Sequence, residues 1–250
     1  MERNFKLLDL FCGAGGAAMG YRLAGFEDIT GIDDKKQKRY PFKFIHADAL
    51  EFLKDHINDF DLILASPPCQ KFSKPGKGCA VTLGKEYPDL ITPLLEILDK
   101  SKTPYIIENV PFAPIRPDLK LFGTMFGLRV RRERWFQLGN GIFLLCPLRG
   151  KTALTVTNGG LVTIAGNGSS HNRIRKGKKM VYGPRPTFYQ GNVKDTWSLA
   201  IGIDWMTVKE LAQAIPPAYT QWIGQGVKNQ LKDIYDETED GQTLIIDETE

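Results

Sequence analysis

The sequence predicts an α/β protein built on a doubly wound, parallel sheet. Short apolar runs of strand length alternate with stretches whose apolar residues recur at helical spacing. The first run, residues 5–11, leads directly into a glycine-rich turn, "CGAGG", and then into small residues that a helix tolerates. Strands and helices that alternate in this way are typical of a parallel sheet with helices on both faces.

The elements of the first half of the chain can be assigned in order. We expect strands at 5–11, 28–33, 42–48, 60–66 and 104–109, and helices at 17–24, 49–56 and 87–101. After about residue 136 the pattern changes to short β-like runs, "ALTVT" and "LVTIA", among Gly, Thr, Asn and basic residues. Helical patterns return from about residue 197. No internal repeat is visible.

These changes predict four parts of the chain. Residues 1–139 would form the main catalytic and cofactor-binding domain, and residues 140–196 a small, separate, basic lobe. Residues 197–230 would return as helices that complete the main domain. Residues 231–250 would form an acidic and largely solvated tail.

The net charge of +4 conceals an uneven distribution. The last 20 residues carry eight acidic side chains and only Lys232, so the remaining 230 residues have 32 basic and 21 acidic side chains, a net charge of +11. Residues 140–195 contain nine basic residues and one acidic residue, Asp195. A body this basic, with a basic lobe, suggests a polyanionic partner.

The cysteines and the apolar content narrow the class of protein. The four cysteines are scattered without paired spacing, which argues against a disulfide framework or a zinc site and fits a reducing cytosol. No apolar run approaches the roughly 20 residues of a membrane span, and the N-terminus lacks the pattern of a signal peptide. We therefore expect a cytoplasmic protein with no bound metal and no membrane partner.

The glycine turn and two acids suggest a nucleoside ligand at the ends of the first three strands. Gly13, Gly15 and Gly16 do not match the G-x-G-x-x-G spacing of dinucleotide-binding folds. Asp33 ends the second strand, where an acid can hold ribose hydroxyls, and Asp48 ends the third, where it could accept from an adenine amino group. Ribose and adenine without a required pyrophosphate fit S-adenosylmethionine. A nicotinamide oxidoreductase is the disfavoured alternative.

The stretch "ASPPCQ" places Cys69 just beyond the end of the fourth strand. Two prolines stiffen the approach to the cysteine, because proline fixes φ and restricts the residue before it. A stiff support suits a thiolate nucleophile, although a free cysteine is also commonly a small buried apolar residue. The tripeptide alone leaves both interpretations open.

Four motifs in order, "DLFCGAGG", "SPPCQ", "ENV" and "RRERWF", resemble those of the DNA (cytosine-5)-methyltransferases. The resemblance covers roughly residues 1–136 and returns near 200–224. Relatives that methylate amino groups carry a Pro-Pro-aromatic motif without cysteine, so Cys69 favours methylation of carbon. The resemblance implies the Rossmann-like fold of S-adenosylmethionine-dependent methyltransferases with a small target-recognition lobe.

The resemblance also implies roles for individual residues. Cys69 would add to C6 of cytosine, Glu108 would contact N3, and Arg134, supported by Arg132, would hold O2. Gln70 and the following residues to about 86 resemble the mobile active-site loop that closes over DNA. The donor pocket would be lined by Phe11, Gly13, Gly15, Asp33, Asp48 and Pro67.

The last motif of the family usually reads Gly-Asn-(Ala/Ser)-Val-Pro-Pro, whereas this chain has Gln213 in place of the asparagine. We include Gln213 in the donor site and expect the substitution to affect donor binding or the transferred group. In the basic lobe, phosphate contacts are predicted for Arg173, Arg175, Lys176, Lys178 and Lys179.

The predicted activity is base flipping of cytosine in double-stranded DNA, followed by methylation at C5 by a monomeric enzyme. The short format is similar to phage-encoded members, which places the enzyme in a bacterial or phage-infected cytoplasm. Two alternatives stay open. One is the same chemistry on RNA, and the other is a catalytically silent DNA-binding protein on the same fold.

Overall fold

The computed structural model describes residues 3–68, 88–148, 154–156, 158–164, 173–176, 179–182 and 186–239. Cys69, Gln70 and Lys178 therefore lie outside the described residues, as do residues 240–250. The side chains of residues 173–176, 179–182 and 236–239 are also not described.

A seven-stranded sheet forms the centre of the molecule. Its strands are β1 (Lys6–Leu10), β2 (Asp28–Asp33), β3 (Lys43–His46), β4 (Leu62–Ala65), β5 (Tyr105–Asn109), β6 (Leu119–Leu121) and β7 (Arg134–Gly139). Their order is β3-β2-β1-β4-β5-β7-β6. Strands β1 to β5 are parallel, as predicted, whereas β7 runs antiparallel to both of its neighbours, β5 and β6. The sheet is thus mixed at one end.

The helices are α1 (Gly16–Leu23), α2 (Ala49–His56), α3 (Ile91–Leu98), α4 (Val193–Ile201), α5 (Val208–Gln213) and α6 (Pro217–Glu239). Short 3₁₀ helices occupy Ile57–Asp59 and Gly123–Phe126. A separate hairpin joins β8 (Arg173–Lys176) to β9 (Lys179–Tyr182). In the described part of the chain, no helix is long and apolar enough to cross a membrane.

Successive residues of the central strands face opposite cores because side chains alternate along a strand. Leu7, Leu64 and Ile106 point to a core shared with α1 and α6. Leu8 and Ile63 point to the other core, which α2 and α3 cover. This arrangement confirms a sheet with helices on both faces.

The long helix α6 carries the chain back onto the first core. Tyr219, Ile223, Val227 and Leu231 recur every four residues, and all four are fully buried. Helices α1 and α6 approach closely at Gly20, where an added Cβ would lie 2.0 Å from Thr220 Oγ1. Only glycine fits at this position.

The structure differs from the predicted division of the chain in two places. The prediction of a solvated tail from residue 231 fails because α6 continues to Glu239, and Ile234 and Tyr235 pack against the core beyond Leu231. The region 140–196 is also not wholly separate. Val162 forms a parallel bridge with Val130, and both are buried with Trp197 of α4 in a third apolar cluster.

Candidate active site

A cavity of about 310 Å³ opens at the carboxyl ends of the parallel strands, where ligands bind in open α/β sheets. It extends from the glycine turn after β1 to the segment between α5 and α6. Seven of the predicted site residues line it: Phe11, Gly13, Asp33, Pro67, Glu108, Arg134 and Gln213. Gly15, Asp48 and Arg132 are not among the described residues that line the cavity.

The turn after β1 is held in an uncommon backbone conformation. Phe11 has φ 57°, and Gly13 and Gly15 have φ 51° and 80°. A Cβ at Gly15 would lie 2.6 Å from Pro41 Cδ. Gly15 therefore allows the β2–β3 loop to pack against the turn, which is a different task from the ligand contact that the sequence predicts.

The carboxylate of Asp33 fastens the glycine turn to β2. Its Oδ2 accepts from the Gly13 amide at 3.0 Å, and its Oδ1 accepts from the Lys35 amide at 2.9 Å. Asp33 thereby stands at a fixed place in the cavity wall. This position suits the predicted ribose contact, which stays a prediction.

Asp48 has a structural role at the start of α2. Its Oδ1 accepts from the amides of Leu50 and Glu51 at 2.9 and 3.0 Å, so it is the N-cap of that helix. The contact with an adenine amino group stays a prediction.

Asp9 is a cavity residue that was not predicted from the sequence. It lies in β1, is 1% exposed, and accepts from the Tyr40 hydroxyl at 3.1 Å. Burial raises the pKa of Asp9 to about 7, despite the opposing hydrogen bond from Tyr40. The sequence feature that could have identified Asp9 is a carboxyl residue between two leucines in an otherwise apolar strand.

Glu108 and Arg134 form a buried ion pair at the end of β5. Arg134 Nε lies 2.8 Å from Glu108 Oε1, and their side chains are 14% and 7% exposed for the arginine and the glutamate respectively. Burial raises the pKa of Glu108 above its usual value, although Arg134 and Arg132 both oppose the shift. The antiparallel register that places Glu108 opposite Phe136 brings Arg134 to this edge. The pair therefore places a carboxyl group of raised pKa beside a fixed cation.

Asn109 connects this pair to the Pro-Pro segment. Its Nδ2 donates to the Pro67 carbonyl at 3.0 Å, and its Oδ1 accepts from the Val110 amide at 2.8 Å. The segment that follows β4 and leads toward position 69 is therefore anchored at Pro67. Asn109 lies within the motif "ENV", in which only Glu108 had a predicted role.

Cys12 also lines the cavity but does not suit nucleophilic chemistry. Burial raises the pKa of its thiol far above the usual range, and the charges of Asp9 and Asp33 act in the same direction. The thiol therefore stays protonated and unreactive.

The segment around α5 closes the other side of the cavity. Trp205 Nε1 donates to the Ala14 carbonyl at 2.9 Å, which joins this segment to the glycine turn. Glu210 caps α5 together with Thr207, and it also accepts from Arg39 Nε at 2.8 Å. Gln213 is thus carried on a segment tied to two parts of the sheet edge.

Residues 5–114 match the family model of the C-5 cytosine-specific DNA methylases. The match covers 110 of the 250 residues of the chain and shows what this part of the chain is similar to. Phe11, Asp33, Cys69 and Glu108 lie inside the matched range, whereas Arg134 lies outside it. Arg132 and Gln213 are also outside.

Several Type II methyltransferases are similar to parts of the chain. M.FnuDI of Fusobacterium nucleatum is 35% identical over 113 residues, which are 42% of this chain and 32% of the relative. M.HgiGI of Herpetosiphon aurantiacus is 34% identical over 84 residues, 29% of this chain and 65% of the relative. M.HaeII of Haemophilus aegyptius is 30% identical over 166 residues, 55% and 51% of the two chains. The chain thus spans between about a third and two thirds of the length of these relatives.

A solved structure with the same fold covers most of the chain. It is named as a putative DNA modification methyltransferase encoded within an E. coli prophage, with a TM-score of 0.54 and 14% identity. The likeness covers 91% of this chain and 99% of that one. The predicted methyltransferase fold is thereby confirmed.

Proposed function

We propose that the protein is a DNA (cytosine-5)-methyltransferase that uses S-adenosylmethionine to methylate C5 of cytosine in double-stranded DNA. One observation carries the proposal. The buried Glu108–Arg134 pair faces the same cavity as the glycine turn and the Pro67–Pro68 segment that leads directly to Cys69.

The charges around the cavity support a donor of this kind. Among the described lining residues five are acidic (Asp9, Asp33, Asp34, Glu108 and Glu210) and two are basic (Lys35 and Arg134). Such a lining disfavours the pyrophosphate of a dinucleotide and suits a cationic sulfonium. Bound there, S-adenosylmethionine supplies an electrophilic methyl group. Asp33 would orient it through its ribose, and Phe11 and Gln213 would complete its walls.

Cys69 is the proposed nucleophile. C5 of cytosine is a poor nucleophile until a thiolate adds at C6, after which C5 has the character of an enamine carbon. The anchoring of Pro67 by Asn109 gives the chain a fixed point of departure two residues before Cys69. The thiolate leaves again when the C5 proton is lost, so the cysteine is regenerated.

Glu108 and Arg134 would act on the pyrimidine ring. A carboxyl group with a raised pKa takes up a proton more readily, and Glu108 would donate that proton to N3 as the thiolate adds. The guanidinium of Arg134 would neutralise charge at O2. Because the two side chains already contact each other, the base would meet a preorganised pair.

The substrate would be duplex DNA from which the cytosine is flipped, because a stacked base is out of reach of the cavity. The basic composition of residues 140–195 supports contacts with the phosphate backbone. We further propose that the enzyme acts as a monomer in the cytoplasm.

The test is covalent trapping on duplex DNA that contains 5-fluorocytosine. Fluorine at C5 blocks release of the enzyme, so the wild-type protein should form a stable adduct in the presence of S-adenosylmethionine. Cys69→Ser should form no adduct and transfer no methyl group, yet bind S-adenosylhomocysteine like the wild type. The matched control is Cys146→Ser, at an exposed free cysteine. Near-native turnover by Cys69→Ser would contradict the mechanism.

A further inference from the structure

We propose that Arg132 is a positioning residue that sets the place of Gln213 in the donor cavity, and that it does not itself hold the target base. This inference rests on the proposed function, since it concerns how the same enzyme binds its methyl donor. It replaces the role that the motif resemblance implies for Arg132.

The guanidinium of Arg132 is directed at backbone carbonyls. Its Nε donates to the Ala214 carbonyl at 2.7 Å, and one terminal nitrogen donates to the Ala212 carbonyl at 2.9 Å. These carbonyls lie on either side of Gln213, which lines the cavity. A single side chain therefore fixes the backbone before and after the residue that differs from the family motif.

A third contact extends the arrangement. The other terminal nitrogen of Arg132 lies 3.4 Å from the carbonyl of Ile164, in the region predicted to recognise the target. The position of Gln213 is thus linked to the segment that pairs with Val130.

The backbone of Arg132 is constrained as well. Its φ of 32° lies in the left-handed region, which is costly for a residue with a long side chain. The Tyr219 hydroxyl donates to the Arg132 carbonyl at 2.8 Å, and Tyr219 is itself fully buried. Both the side chain and the backbone of Arg132 are therefore held in place, so that Arg132 fixes the position of the segment around Gln213.

Arg134 provides the contrast within the same motif. It lines the cavity and pairs with Glu108, whereas Arg132 contacts the segment that carries Gln213. The two arginines therefore have different roles. Arg134 would contact the target base, and Arg132 would hold the segment that carries Gln213 at the donor cavity.

The experiment measures binding of S-adenosylhomocysteine by calorimetry in the absence of DNA. Arg132→Lys keeps the charge but loses the planar fork that reaches carbonyls in several directions. We expect its dissociation constant to rise about tenfold, as the loss of a charged hydrogen bond would give. The control is Arg131→Lys, whose side chain is 62% exposed and 3.8 Å from Glu133, and which should bind like the wild type.

A double-mutant cycle separates positioning from general destabilisation. If Arg132 acts through Gln213, then Arg132→Lys should have little further effect on donor affinity in a Gln213→Ala background. At saturating donor, Arg132→Lys should still form the 5-fluorocytosine adduct. If Arg132→Lys does not fold, Tyr219→Phe loosens the same residue more mildly and should weaken donor binding in the same direction.

Donor affinity of Arg132→Lys equal to that of Arg131→Lys would overturn the inference, as would full additivity with Gln213→Ala. Loss of the adduct at saturating donor would show that Arg132 acts on the target base, as the motif resemblance implies. If Arg132→Lys does not fold, donor binding by Tyr219→Phe at the wild-type level would overturn it too.

A wild-type protein that binds S-adenosylhomocysteine but never methylates DNA would overturn the proposed function and leave this inference standing. A wild-type protein that binds no donor would overturn both.

Discussion

Two carboxyl groups, those of Glu108 and Asp9, are buried in the cavity wall with different partners. Glu108 has the cation of Arg134 beside it, whereas the bond described for Asp9 comes from the neutral Tyr40 hydroxyl. Burial raises the pKa of both, and for Asp9 the value reaches about 7. A cation stabilises the charged form of a carboxylate far better than a phenol does. Asp9 should therefore make the stability of the protein depend on pH.

We predict that the free energy of unfolding falls as the pH rises from about 4 toward 8. Asp9 binds its proton more tightly in the folded state than in the unfolded state, so its contribution is complete at low pH and is lost as the pH passes about 7. The difference from the ordinary pKa of 3.8 corresponds to at most about 4 kcal/mol.

Asp9→Asn should remove this dependence and keep the acceptor for Tyr40. Urea unfolding at pH 5 and pH 8 measures it, with Asp55→Asn on the exposed face of α2 as the control. Identical pH profiles for Asp9→Asn and the wild type would show that Asp9 is ionised in the folded protein.

At the scale of the element, the first residue of interest is Asp48 at the start of α2, whose effects on stability and on donor binding have to be measured separately. Asp48 caps this helix through the amides of Leu50 and Glu51 and is also predicted to contact the donor. Removing its carboxylate changes both functions at once. Serine keeps the ability to cap a helix but is too short to replace the carboxylate elsewhere.

We predict that Asp48→Ala loses about 1 kcal/mol of stability and also binds S-adenosylhomocysteine about tenfold more weakly. Asp48→Ser should recover the stability and keep the weak binding. Thermal unfolding and calorimetry on the two variants give both quantities. Wild-type donor affinity in Asp48→Ser would reduce Asp48 to a helix cap.

The elements with strong local signals were predictable from the sequence. The bounds of β2 and α2 coincide with the prediction, because the apolar run and the cap that define them are local. Strand β7 was missed because "RRERWF" was interpreted only for its arginines. Helix α6 was cut short because its acids obscured Leu231, Ile234 and Tyr235, which continue the helical spacing.

The candidate site was likewise predictable only in part. Seven of the predicted site residues line the cavity, and most of them lie at or just after the ends of parallel strands, which meet at one edge of the sheet. The hydrogen bonds of Arg132 to Ala212 and Ala214 join residues about 80 positions apart in the chain, and neither partner has a side chain that marks it. Backbone acceptors leave no trace in a sequence.

At the scale of the whole molecule, the charge of the basic region governs how the protein would meet DNA. Lys176 and Lys179 pair across the β8–β9 hairpin, and Lys178 follows in the sequence between them. Lysine offers a point charge rather than bidentate geometry, which suits phosphates more than base edges.

We predict that neutralising Lys176, Lys178 and Lys179 together weakens binding to target and non-target duplexes by a similar factor. For each phosphate that a removed lysine would have neutralised, the slope of log affinity against log salt should fall by about 1. Fluorescence anisotropy across a salt series measures this. A changed target sequence with an intact salt slope would mean that the segment reads bases.

The most direct test of the central claim identifies the methylated atom. The wild-type protein is incubated with labelled S-adenosylmethionine and with duplex DNA or tRNA, and the digested nucleosides are separated by chromatography. The proposed chemistry predicts label in 5-methyldeoxycytidine from the duplex alone. Label in N4-methyldeoxycytidine, in methyladenine or only in the tRNA would contradict it, as would a protein that binds the donor and labels neither substrate.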